Sequence, residues 1–316
     1  MKQTAGRTLR AAAGLAIAGV SLWLAFRHVA WGRAAEGFRS VSPSAAAGIL
    51  AIVFGSVAIR ALLWQQFARR LGPAPFGLAV RSLLVGMLAN NVLPARLGEL
   101  ARSGLWAART GVGQGPALGV LAAERSLDLV ALGAFAAFVL PRAPVSSGVR
   151  ETLSIGAGAG VLVAVAFIVL ARMRFEGLGR ASRTLGRLAL GFAMLGRPRE
   201  LFVPVLLSAA LWGLTFLYQT ATLGAFGIDA PAGAAGLLLV ATQLAVVLPS
   251  APSFAGPYHL AVTIALTAYG VDRDRAAGFA IFSHLAWVLP SSLAGGGALL
   301  REGLGLGRLV GDQSSS

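Results

Sequence analysis

The chain has 316 residues, 56% of them hydrophobic and only 12% charged, with a mean hydropathy of +0.75. Soluble domains carry about 25% charged residues, so this composition excludes an ordinary soluble globular protein and implies a membrane protein. The formal charge of +15 is almost entirely arginine, Lys2 being the sole lysine, and cysteine is absent. Disulfides and thiolate metal sites are therefore excluded. Three histidines without clustered carboxylates give no metal site, and no cofactor motif is found. The arginines lie in short stretches between apolar runs, the bias of cytoplasmic loops. No basic soluble domain remains for nucleic acid.

The first apolar run covers residues 9–26, preceded by Lys2, Arg7 and Arg10. Arg27, His28 and Trp31 follow it instead of a small-residue cleavage site, so it reads as a retained span. The second run is 45–67, closed by Arg69 and Arg70. The third, 76–93, is stopped by Pro94, and a charged amphipathic segment, 95–110, comes next. Runs at 116–140 and 152–171 lead into 172–199, which has seven arginines against Glu176 alone. Arg180, Arg183 and Arg187 recur there at helical spacing, as expected of a helix lying on an anionic membrane surface. The remaining runs are 201–223, 234–248 up to Pro249, an apolar stretch to Ala268, and 276–300.

Two halves of the chain echo each other. Residues 72–94 match 227–249 at an offset of 155, pairing Val92-Leu93-Pro94 with Val247-Leu248-Pro249. Residues 111–119 match 270–278 at an offset of 159. Duplication predicts a first membrane repeat over 1–150, a second over 151–300 and a polar tail over 301–316.

Placing the arginine-rich 172–199 loop in the cytoplasm fixes the rest. Residues 76–110 must then enter and leave on the cytoplasmic face, as a re-entrant hairpin broken at Pro94, because proline removes a helix donor and clashes with the preceding turn. Residues 234–268 form the mirror hairpin from outside, broken near Pro249, Pro252 and Gly256. The expected fold is all-α and polytopic: six full spans plus two re-entrant helical hairpins in an inverted repeat, with both termini cytoplasmic in the cell (inner) membrane. Inverted repeats with interrupted helices are a common transporter architecture.

Charge at depth is the main functional signal. Arg96, Glu99 and Arg102 are three apart, so Glu99 is placed to pair with either arginine. Glu124, Arg125 and Asp128 fall within an arc of about 100° on their helix, and Glu124 lies roughly 12 Å into its run. The first set sums to one positive charge and the second to one negative, so they suit each other as partners. Two readings stand: a latch between hairpin and span, or a polar vestibule. Arg60 and Arg81, also inside apolar runs, favour the vestibule, and several guanidiniums together suit a phosphate. Asn90 and Asn91 precede the Pro94 break and either line a cavity or cap freed backbone. His259 and His284 read as hydrogen-bonded core residues. Ser250, Ser253, Ser291 and Ser292 adjoin prolines and glycines and read as helix-end residues. No nucleophile arrangement or phosphate loop is present, so no catalytic residue is assigned.

The strings LPARLGELARSGLWA and AERSLDL, with the later LPSAPSFAGPYH, resemble the transmembrane domain of lysylphosphatidylglycerol synthases and related flippase-like proteins. The pattern of Pro94, Arg96, Gly98, Glu99 and Arg102 with Glu124, Arg125 and Asp128 carries most of the likeness. The later hairpin departs from the family's usual form, which has glycine near Ser253–Phe254 and an acidic residue near Tyr258–His259. The resemblance implies movement of an anionic phospholipid or polyprenyl-phosphate-linked lipid between leaflets. The soluble aminoacyltransferase domain of full synthases is not expected here, so no enzyme activity is. The alternative is a non-catalytic membrane partner of a glycosyltransferase or other lipid-modifying enzyme.

Overall fold

A computed structural model describes residues 16–93, 97–172, 190–191, 195, 198–247 and 252–303. Its elements are helices: α1 Ala16–Phe26, α2 Trp31–Glu36, α3 Pro43–Ala68, α4 Phe76–Val92, α5 Leu97–Thr110 and α6 Gln114–Val139. There follow α7 Ser147–Arg172, α8 Phe202–Ala225, α9 Ala232–Ala245, α10 Pro257–Ala268 and α11 Arg273–Arg301. Short 3-10 turns link some of them. The expected surface helix over 172–199 falls mostly outside the described residues, as do Pro94, Arg96 and Pro249.

The ends of these helices follow local chemistry. Ser42 accepts a hydrogen bond from Ala45 N and Pro43 occupies the first turn of α3, both standard start signals. Asp272 likewise accepts from the amides of Asp274 and Arg275 to open α11. Gly256 precedes α10 with φ 97°, a conformation that favours glycine.

Four helices, α3, α7, α8 and α11, are long and apolar enough to cross a bilayer. Their outer faces are greasy: Leu162 is 71% exposed, Phe202 68% and Leu293 78%. So much apolar surface turned outward is expected where lipid, not water, is the solvent. Helix α6 has the length of a span, but it carries Glu124, Arg125 and Asp128. The chain is thus a polytopic helical membrane protein.

Helix α3 packs along α8, α6 along α7, and α4 lies between α5 and α11. The approach of α5 to α4 depends on two glycines. A Cβ on Gly86 would meet Gly98 O at 2.7 Å, and one on Gly98 would meet the Asn90 side chain at 2.6 Å. The pairing of Gly86 and Asn90 with Gly98 makes α4 and α5 an antiparallel pair. Gly295 does the same between α11 and α4, its Cβ position being 2.6 Å from Leu84 O. On the other side α9 packs on α10, and both the α9–α10 pair and α6 share the largest apolar core, built on Leu237, Leu238, Leu239, Leu266, Phe226 and Phe279.

One sequence expectation is corrected. Ser291 and Ser292 are not at a helix end. Helix α11 continues through Pro290, as helices in apolar surroundings do when neighbouring groups satisfy the freed backbone. Ser291 is fully buried, and its hydroxyl donates to Val288 O.

Candidate functional site: an ionic cluster beside a cavity between the two halves

Helix α5 is the amphipathic element of the first half. Its buried face runs Gly98, Ala101, Arg102, Leu105 and Trp106, at helical spacing. The glycine contact with α4 and the packing of α5 on α6 drive Arg102 inward until it is 3% exposed. There its Nη1 and Nη2 donate to the two oxygens of Glu124 at 3.1 and 2.8 Å. Its guanidinium also lies 4.1 Å from the centre of the Trp64 ring, which itself meets Trp106 edge-on at 5.8 Å.

Glu124 is fully buried on α6 and is the hub. Besides Arg102 it accepts from Arg60 of α3 at 2.6 Å and from Arg125 at 2.8 Å. Asp128, one turn further on, accepts from Arg60 at 2.9 Å, faces Arg125 at 3.2 Å and takes the Trp212 Nε1–H of α8 at 3.3 Å. Glu99 stands 3.8 Å from Arg125. Among the described residues the cluster therefore has three guanidiniums and three carboxylates and sums to zero. That balance is required at depth: isolated buried ions cost several kcal/mol each, and fork-to-carboxylate geometry offsets much of it.

Glu99 and Arg102 of the first charged set face Glu124 and Arg125 of the second, and Arg96 lies outside the described residues. The pairing inside them differs from the one expected, however. Glu99 does not hold Arg102; Arg102 reaches across to Glu124, and Glu99 turns to Arg125. Arg81 is not in the cluster either. It pairs with Glu302 just past α11, together with Arg109. Its separation follows from its place near the start of α4, remote from Asn90 at the other end.

A cavity of about 280 Å³ opens beside the cluster. Arg60, Asn90, Asn91, Glu99, Arg102 and Arg125 line it from the first half. Arg125 is the most exposed of the three guanidiniums, at 33% of its side chain, and Arg60 follows at 22%. Glu124 and Asp128 sit behind this wall. Asn90 turns out to cap: its Oδ1 accepts from Gly98 N, an orphan donor in the first turn of α5. Asn91 donates to Ser292 of α11 at 2.9 Å.

The second half supplies the opposite wall, with Gln219, Thr242, Ser253, Tyr258, His284 and Trp287. Pro252 opens the short turn there, and the next two residues are held at φ 62° (Ser253) and 59° (Phe254), a strained region for side-chain-bearing residues. His284 Nε2 lies 2.7 Å from Ser253 O. A carbonyl oxygen only accepts, so this nitrogen carries the proton. Tyr258 stacks on His284 at 4.8 Å, and Gly256 N donates to His259 Nδ1 at 3.4 Å. Both histidines are hydrogen-bonded, as expected. No three metal-ligating side chains converge among the described residues.

Sequence reasoning left Trp64, Trp212 and Gln219 unremarked; it placed Arg60 at the vestibule, where the structure has it, but did not pair it with Glu124 and Asp128. The signal existed for Arg60 and Gln219, each a polar residue midway along an otherwise apolar run.

The helices, their lipid-facing exteriors and the buried ionic cluster define a polytopic membrane protein with a polar interior. The family described as "Lysylphosphatidylglycerol synthase TM region" matches residues 11–295. The chain belongs to that family, and the matched part is its membrane region. Searches of curated proteins and of solved structures gave no match.

Proposed function

We propose that the protein is a flippase or scramblase-type transporter that carries an anionic phospholipid or polyprenyl-phosphate-linked lipid between leaflets. The observation that supports this most is the position of the cavity. It lies between an ionic wall from the first half and a polar wall from the second, where a headgroup crossing the bilayer needs polar company. Arg60 and Arg125 offer guanidinium edges to a phosphate, and Arg96, next to α5 in the sequence, is proposed as a third. Arg102 acts through Glu124, which it holds. Glu99, Glu124 and Asp128 keep the guanidiniums in place between passages.

The helix lengths favour the inverted-repeat reading. At 1.5 Å per residue, α4 is about 26 Å long, α5 and α9 about 21 Å and α10 about 18 Å, all short of the roughly 30 Å of a hydrocarbon core. Two re-entrant pairs flanked by six spans accommodate them. Pairwise packing supports it too: α3 lies against α8, α4 against α11, and α9 against α6. In this arrangement the halves are 1–150 and 151–300, and both termini are cytoplasmic in the inner membrane. The family match to a membrane region alone favours transport over catalysis.

Vesicles containing the purified protein and a labelled anionic lipid test the proposal. Translocation should be present and should fall at least tenfold in Arg96→Ala, Glu99→Ala and Arg125→Ala. Vesicles that move no lipid, or variants that move it at the parental rate, would refute it.

A further inference from the structure

We propose that the protein is a proton–lipid symporter in which Glu99 takes up a proton when an anionic headgroup binds Arg125, and gives it up when the headgroup leaves. The proposal rests on the lipid-transport reading above and adds the ion that travels with the lipid.

The three carboxylates of the cluster are held very unequally. Glu124 is sealed in the interior and accepts hydrogen bonds from Arg60, Arg125 and both Nη atoms of Arg102. Asp128 accepts from Arg60 and Trp212 and faces Arg125 at 3.2 Å. Neither lines the cavity. Glu99 is the one acid among the described residues that does, with 27% of its side chain exposed. It meets Arg125 Nη1 at 3.8 Å, too far for a hydrogen bond. No described residue donates a hydrogen bond to its carboxylate.

Arg125 has one edge left to offer. Its Nη2 donates to Glu124 at 2.8 Å and its Nε is buried. A phosphate entering the cavity therefore competes with Glu99 for the Nη1 edge. Two anions at one guanidinium repel, and a like charge alongside disfavours the ionised form of a carboxyl. A phosphodiester keeps its charge at any physiological pH, so Glu99 is the partner that accepts a proton. The proton comes from water and forms an O–H bond on Glu99; no other covalent bond changes. When the lipid departs, the proton departs and Glu99 returns to Arg125.

The other groups around Glu99 are committed or neutral. On α5 itself, Arg102 is spent on Glu124. Helix α3 brings Arg60, also bound to Glu124 and Asp128, and α4 brings Asn90 and Asn91. Arg96, three residues earlier in the chain, lies outside the described residues. Across the cavity stand Tyr218, Tyr258 and His284. Of these three only the histidine type titrates near neutral pH, so His284 is the rival proton carrier.

The test uses the purified full chain in weakly buffered detergent with a pH-indicator dye. The probe is short-chain phosphatidylglycerol, and phosphatidylcholine, which has no net charge, is the control. Phosphatidylglycerol should draw about one proton from solution per lipid bound, and by linkage its dissociation constant should rise about tenfold per unit of pH. Phosphatidylcholine should draw none. Glu99→Gln should bind phosphatidylglycerol with no proton uptake and no pH dependence. His284→Gln and Glu99→Asp should both keep the uptake, and they keep the test decisive if Glu99→Gln does not fold. In vesicles, an imposed pH gradient should drive labelled phosphatidylglycerol from the acid side, and Glu99→Gln should ignore the gradient. Binding without proton uptake by the parent, uptake that survives Glu99→Gln, uptake lost in His284→Gln, or transport indifferent to the gradient would each overturn the symport while the transport reading stands. If no phosphatidylglycerol binds or moves, both fail.

Discussion

Arg102 of α5 and Glu124 of α6 form a two-pronged ion pair, with both partners buried and the Trp64 ring beneath the guanidinium. Glu124 is simultaneously bonded to Arg60 and Arg125. One carboxylate thus ties α3, α5 and α6 together and fixes the amphipathic helix in an apolar interior.

Removing that carboxylate leaves three guanidiniums facing a neutral amide. Breaking a buried ion pair from one side costs about 3–5 kcal/mol, because the abandoned charge stays buried. Glu124→Gln should lower the thermal midpoint of the detergent-purified protein accordingly. Added salt should not restore it, since mobile ions screen exposed charges and not ones sealed from water. Arg125→Gln, whose side chain is one third exposed, should cost less. A Glu124→Gln protein that melts with the parent would show that the cluster does not hold these helices.

The contact between α4 and α5 makes a second prediction. A side chain on Gly98 runs into the backbone of Gly86 and the carboxamide of Asn90, which itself caps α5. Gly98→Val has no room to relax without parting the helices. Overpacking of this kind costs about 1–3 kcal/mol, and here it also moves Arg102 away from Glu124. Thermal unfolding and limited proteolysis after Gly98→Val should both report a loosened α4–α5 pair. Gly148→Ala, where nothing lies within 4 Å, is the control and should behave as the parent.

Much of this architecture was legible in the sequence. Prolines and charges bound the apolar runs, so the expected 76–93 became Phe76–Val92 and 201–223 became Phe202–Ala225. The facing of Glu124 and Asp128 also followed, because both lie on one helix whose period is known. What sequence spacing does not give is which other helix comes alongside. The partner of Arg102 is therefore Glu124 and not the nearer Glu99, and Arg60 joins from α3. Ser291 was misplaced for a related reason. Pro290 reads as a stop signal, but in α11 neighbouring helices keep the chain helical.

The end of α11 has its own pH dependence. Glu302 receives the Arg109 Nε–H at 2.8 Å and pairs with Arg81, so the last helix is clamped to both members of the α4–α5 pair. Burial works against its charge, but hydrogen bonds and charges from Arg81 and Arg109 outweigh that and hold the carboxyl below its ordinary 4.5. A carboxylate lowered in the folded state contributes stability that is complete above the ordinary value. That contribution is lost as pH falls through the lowered one. Both arginines are more than a third exposed, which limits each pair to about 1 kcal/mol. The difference in thermal midpoint between the parent and Glu302→Gln should thus be largest near neutral pH and shrink below pH 4.5. A constant difference across that range would count against the clamp.

The strained turn at the far wall yields the last prediction. Ser253 and Phe254 both sit at positive φ, where a Cβ crowds the following carbonyl at a cost of roughly 1–2 kcal/mol per residue. Glycine occupies that region without the clash but loses more chain entropy on folding. Ser253→Gly should therefore stabilise the fold by about 1 kcal/mol or somewhat less. The hydrogen bond from His284 to Ser253 O uses the backbone, so the substitution leaves it in place. The same change removes a buried hydroxyl that has no hydrogen-bond partner among the described residues, so nothing is lost with it. A higher melting point of the detergent-purified variant is therefore expected. A Ser253→Gly protein that melts lower than the parent would mean the turn is held by contacts of the serine side chain and not strained by its backbone.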